Sequence, residues 1–140
     1  MKHVISILTG MFFVALVLSI QTVRAQEDVG RLLKQLEENS DRFSKTLNKA
    51  LDESQINGTN TEDEINGYVK QYEDSTDRLK KNYDKGQDNR VATQEVLSRA
   101  KTINKFLKAH PLNSTVKTDW ATVKNDLNRL ARAHKLKLGF

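Results

Sequence analysis

The sequence predicts an all-α protein, an antiparallel up-down-up-down four-helix bundle with a short extended C-terminal tail. Three observations carry that expectation. Apolar residues recur at steps of three and four through four separate stretches, which marks helices that each bury one stripe. Short segments rich in Asn, Gly and Ser, or holding the single proline, separate those stretches. With 140 residues, six glycines and no cysteine, packing alone must hold the chain together, without disulfides, thiolate metal sites or a cysteine nucleophile.

Residues 1–25 read as a secretory signal peptide. Lys2 and His3 give a positive start, and Val4 to Ile20 is an apolar run. Val23-Arg24-Ala25 then presents small residues at the two positions a signal peptidase reads, so cleavage is expected before Gln26. The run is short for a bilayer span of ~20 residues, which favours a cleaved leader over an anchor. The mature chain, residues 26–140, is then expected outside the cytoplasm, periplasmic or secreted, with no membrane span.

Helix 1 is expected over about 27–53, with a stripe of Val29, Leu32, Leu33, Leu36, Ser40, Phe43, Leu47, Ala50 and Leu51. Asn57-Gly58 is the strongest turn signal in the chain. Helix 2, about 61–85, opens on Thr61-Glu62-Asp63-Glu64, which has the form of a capping box. Its stripe is Ile65, Tyr68, Val69, Tyr72, Thr76, Leu79 and Tyr83, and Gly86 is placed for a left-handed cap. Helix 3, about 89–109, carries Val91, Val96, Leu97, Ala100, Ile103, Phe106 and Leu107 and stops before Pro111. Helix 4, about 114–134, starts at Asn113 or Ser114 and buries Val116, Trp120, Val123, Leu127, Leu130 and His134. The tail should lay Leu136, Leu138 and Phe140 on the bundle. Counting outward from the turns, Ser40 and Thr76 fall at one height, level with Val96 and Leu130. Trp120 falls near Leu47, Leu51 and Tyr68, where it would plug the turn end.

The segment Leu97 to Phe106, followed by Asp119-Trp120-x-x-Val123-x-x-Asp126-Leu127-x-x-Leu130-Ala131, resembles a group of small exported bacterial all-helical proteins of uncharacterised function. Ile65-Asn66-x-Tyr68-Val69 and Thr76-Asp77-Arg78-Leu79 are similar to the same group, whose aromatic-rich ending is replaced here by Leu136 to Phe140. The resemblance implies a bacterial, exported helical protein and carries no activity.

The sequence offers no nucleophile elbow, phosphate loop or convergent Ser–His–Asp set, so no enzyme is expected. Adjacent carboxylates such as Glu37/Glu38 diverge on a helix. No metal or cofactor is expected either: His110 and His134 fall at opposite ends of a bundle, whereas a metal needs several convergent ligands. Charge is more telling. Residues 26–88 hold 10 bases and 15 acids, net −5, while residues 89–140 hold 11 bases and 3 acids, net +8. One reading packs an acidic hairpin on a basic one, with flanking ion pairs setting helix order as they do in coiled coils. The sharper reading takes Lys101, Lys105 and Lys108 on helix 3, with Lys117, Lys124, Arg132 and Lys135 on helix 4, as a face for an anionic envelope component. Nucleic acid is not expected, because the leader removes two of the 23 bases and leaves a mature net charge of +3. The main functional expectation is an envelope protein acting through protein–protein contacts; binding of anionic surfaces or polymers is the alternative. A chaperone-like dimer would require an apolar groove left open after the four stripes close.

Overall fold

The computed structural model describes residues 6–137, with side chains over 29–137. Four helices follow one another: α1 (Ser6–Asp52), α2 (Asn60–Asp84), α3 (Arg90–Ala109) and α4 (Ser114–Ala133). No strand occurs among the described residues. The chain divides into two compact units, residues 1–31 and residues 32–140. The first contains the N-terminal part of α1. No helix among the described residues is long and apolar enough to cross a membrane. Helix therefore begins upstream of the expected start at Glu27, since Gln21 to Asp28 includes no glycine or proline to interrupt it. Residues 1–5 of the expected leader and Leu138 and Phe140 of the expected tail lie outside the described residues.

The second unit carries the core. Leu36, Phe43 and Leu47 from α1, Ile65, Tyr72 and Leu79 from α2, Ile103 and Phe106 from α3, and Trp120, Leu127 and Leu130 from α4 are all buried. Ser40 and Thr76 are buried among them: the Ser40 Oγ and Tyr72 Oη lie 2.9 Å apart, and Thr76 Oγ1 donates to the Tyr72 carbonyl at 3.0 Å. These short side chains fill core positions without leaving their hydroxyls unbonded. α2 packs along α3, and α3 against α4. Hydrogen bonds join α1 to α4 at Gln35–Arg129, Asn39–Asp126 and Thr46–Asp119.

Trp120 is where all four helices meet. Its ring packs 4.8 Å from that of Phe43 and edge-on to Tyr72 at 6.4 Å, and its Nε1–H donates to Asn104 Oδ1 at 3.0 Å. Phe43 and Tyr72 each lie one turn further from the 53–59 loop than Leu47 and Tyr68, the residues counted level with Trp120 from sequence. Tyr68 itself is half-buried, edge-on to Phe106, with its hydroxyl donating to Glu64. Tyr68 and Val69 stand about 100° apart on the helix, and Val69 takes the inner place. Val91 is likewise not in the core. It is 75% exposed, because it sits about 140° round the helix from Val96. Thr93 and Asn104 occupy that stripe instead.

The helix ends follow local chemistry. α2 begins at Asn60 with Thr59 as N-cap, ahead of the capping box expected at Thr61. Glu62, rather than Glu64, reaches back, accepting the Gly58 N–H at 2.6 Å. The Thr59 hydroxyl donates to the Ile56 carbonyl and accepts no cap hydrogen bond from the first turn. At α4 it is Asn113 that caps, its Oδ1 accepting the Val116 N–H at 3.0 Å.

Two C-termini close with the same double hydrogen bond. After α2, Gly86 (φ +66°) donates to Tyr83 O and Gln87 to Asn82 O; after α4, Lys135 (φ +54°) donates to Arg132 O and Leu136 to Ala131 O. Only one of the two has the residue suited to left-handed backbone. Gly86→Ala should lower stability by about 1–2 kcal/mol, from backbone strain alone, since an added Cβ there meets nothing within 4 Å. Lys135→Gly should raise it by about 0.5–1 kcal/mol. Urea unfolding of both variants checks the pair; shifts of the same sign would refute it.

Candidate functional site

The basic half of the chain spends its few acids on the acidic half. Glu95 on α3 pairs with Arg78 of α2 at 2.5 Å. Asp119 accepts from Thr46 of α1 at 2.7 Å, and Asp126 from Asn39 of α1 at 2.6 Å. The remaining polar crossings use neutral amides, Gln71 with Arg99 and Gln35 with Arg129. Arg78–Glu95 is the one ion pair between helices among the described residues, and in it the base comes from the acidic half and the acid from the basic half. Attraction between opposite-sign hairpins therefore does not organise these contacts. The three acids of residues 89–140 turn toward α1 and α2. Of the bases, Arg99 and Arg129 also reach across, and no lysine of this half makes an ion pair with α1 or α2 among the described residues.

Those bases are the candidate site. Lys101, Lys105, Lys108, Lys117, Arg132 and Lys135 are exposed and Lys124 is half-buried; none makes an ion pair with another described residue. Helical spacing puts Lys101, Lys105 and Lys108 on one stripe of α3. Lys108 meets Lys117 and Lys124 of α4 around a cavity of about 380 Å³ beside the 110–113 loop. Lys101 and Lys105 continue the stripe beyond the cavity, whereas Arg132 and Lys135 lie at the far end of α4 and are not brought to it. Arg90 and Lys137, which the sequence reading left out, are also exposed and without ion pairs.

The cavity has an apolar floor that the sequence reading missed. Leu107, Pro111, Leu112, Val116 and Ala121 line it, with one edge of Trp120. Leu112 reads in sequence as a lone loop residue. Its role follows from the cap at Asn113, which turns the chain so that Leu112 is half-buried. A second cavity, about 450 Å³ between α1 and α2, is mostly polar, with Asp52, Glu62 and Glu73 in its lining against the single base Lys70.

Two titratable groups of the core are shifted by burial. Burial pushes the Tyr72 phenol far above its ordinary value, so it stays neutral. His110 caps α3 and stacks on Phe106 with ring centroids 4.6 Å apart. Among the described residues no three His, Asp or Glu side chains converge in a group able to hold a metal. His134 caps α4, and its Nε2 is buried without a hydrogen bond, as are Asn89 Oδ1 and Thr93 Oγ1. Burial holds the His134 imidazole below its ordinary value, with Arg90 acting the same way and Asp88 opposing. The unfolded chain, at ~6.5, then takes the proton before the folded one. Stability is full above that value and is lost as pH falls through the folded value. The Tm should drop as pH falls below about 6.5, and His134→Gln should remove part of the drop; an unchanged slope would refute this assignment.

No family model, curated protein or solved structure matches this chain.

Proposed function

We propose that this is an exported, non-enzymatic binding protein whose working surface is the cationic α3–α4 face. Its partner is an anionic component of the cell envelope, with phospholipid headgroups as the chemistry that fits. One observation carries the reading. The seven lysines and arginines of that face have no ion-pair partners, while all three acids of the same half are held by α1 and α2. A surface with its counter-charges drawn inward keeps its field for an outside partner.

The reading includes an antiparallel up-down-up-down order of the helices. Partners on α4 fall from Arg129 through Asp126 to Asp119 as those on α1 rise from Gln35 through Asn39 to Thr46, which favours it. Likewise Arg78 pairs with Glu95, and Gln71 with Arg99, across α2 and α3. Export rests on the leader-like sequence of residues 1–25, with cleavage before Gln26. Mass spectrometry of the protein recovered from its native envelope fraction tests that step. A protein partner remains the second reading, with Val91, the one exposed large hydrophobic among the described residues, as its natural anchor.

Vesicle co-sedimentation tests the main proposal. Binding to vesicles containing phosphatidylglycerol should fall steeply between about 50 and 300 mM salt as screening shortens the reach of the charges. Lys101→Gln, Lys105→Gln and Lys108→Gln together should weaken it about a hundredfold, at about 1 kcal/mol per lysine near an anionic surface. Equal binding to neutral phosphatidylcholine vesicles, or binding insensitive to salt, would refute the proposal.

A further inference from the structure

The cavity at the end of α3 combines two features that a purely electrostatic face does not need. Its floor is apolar, built from Leu107, Leu112, Val116 and Ala121 with one edge of Trp120. Its lining also includes three lysines, Lys108, Lys117 and Lys124, none with an ion-pair partner among the described residues. At about 380 Å³ it lies within the range of small-molecule sites. A simple inorganic anion would gain nothing from the floor, and a neutral hydrocarbon nothing from the lysines.

The geometry points to a binding site for a single-chain anionic amphiphile, a fatty-acid anion, with its hydrocarbon chain on the Leu107–Leu112–Val116–Ala121 floor and its carboxylate among Lys108, Lys117 and Lys124. Each methylene buried on the apolar lining adds to the affinity, and the carboxylate draws charge-assisted hydrogen bonds from the lysines. The α1–α2 cavity offers such a ligand a poorer match, since its lining sets three carboxylates, Asp52, Glu62 and Glu73, against the single base Lys70. The inference deepens the proposal of an anion-binding face by assigning one part of it a ligand class.

The chain supplies its own probe, because Trp120 is its single tryptophan and lines this cavity. Decanoate, added below its micellar range to the whole protein, should change Trp120 emission in a saturable way. Ala121 is exposed, so Ala121→Phe can fill the cavity without disturbing the core. That variant should bind decanoate at least tenfold more weakly, with its thermal unfolding unchanged. The triple variant Lys108→Gln, Lys117→Gln, Lys124→Gln should lose decanoate by a similar factor yet bind decanol as the parent does. Lys101→Gln with Lys105→Gln should leave decanoate binding intact while weakening anionic vesicles. Decanoate affinity unaffected by Ala121→Phe would overturn the site. Vesicle binding without decanoate binding would also overturn the site while leaving the wider face standing, and decanoate binding without vesicle binding would do the reverse.

Discussion

Trp120→Ala should lower the free energy of unfolding by about 3–5 kcal/mol, the range for truncating a fully packed large aromatic. Trp120 is 3% exposed and touches a side chain from each of the other helices: Phe43 on α1, Tyr72 on α2 and Asn104 on α3. Removing the indole opens a void where side chains from all four helices meet, so little of it can be closed by local collapse. It also strands Asn104 Oδ1, since Asn104 is buried and the indole N–H is its donor. Trp120→Phe separates the two contributions. It keeps most of the volume and loses the hydrogen bond, and should cost about 1–3 kcal/mol. Asn104→Leu on the Trp120→Phe background should then recover part of that loss. Urea unfolding with a constant m-value measures all three. A Trp120→Ala loss below about 1 kcal/mol would mean that the ring is not clamped in this way.

Helix number and the main buried stripes were legible because spacing at three and four fixes which residues share a face. Ser40 and Thr76 show how far that goes: their phase assigns them to the core although their chemistry does not. The same rule misplaces Val91, which is apolar but lies a step of five from Val96, off the stripe. Asp126 fails in the opposite direction. It neighbours Leu127 on the inner side of α4, yet a carboxylate in a sequence reads as surface, and its partner Asn39 is 87 residues away. No local pattern encodes that pairing. The basic balance of residues 89–140 and the Lys101–Lys105–Lys108 stripe were legible from composition and helical spacing. That the counter-charges of this half turn inward, and that Leu112 and Ala121 floor a cavity among three of its lysines, depends on helix rotation and on one loop, neither of which periodicity sets.

The pair Asn39–Asp126 gives the second large effect, and its size depends on which partner is removed. Asp126 is 4% exposed; its Oδ2 accepts from Asn39 Nδ2 at 2.6 Å, and its Oδ1 lies 3.4 Å from the Arg129 guanidinium. Arg42 in turn donates to Asn39 Oδ1 at 2.7 Å and holds the amide in that orientation. Asn39→Ala leaves a buried carboxylate oxygen without its donor, and should cost about 1.5–3 kcal/mol. Asp126→Leu removes the buried charge itself. The partners it leaves are a half-buried amide and an arginine side chain 44% exposed, both within reach of water. Replacing a buried ionic group by a hydrophobic one of similar volume is often near neutral, so this change should cost under about 1 kcal/mol. Asn39→Ala added to Asp126→Leu should then cost little more, giving a coupling of about 1.5–3 kcal/mol in the double-mutant cycle. Additive losses would mean that the carboxylate stabilises α1 against α4 by a route other than Asn39. Coupling of the expected size makes the contact one that fixes how α1 and α4 align, since a misaligned pair would bury the charge with no donor opposite it.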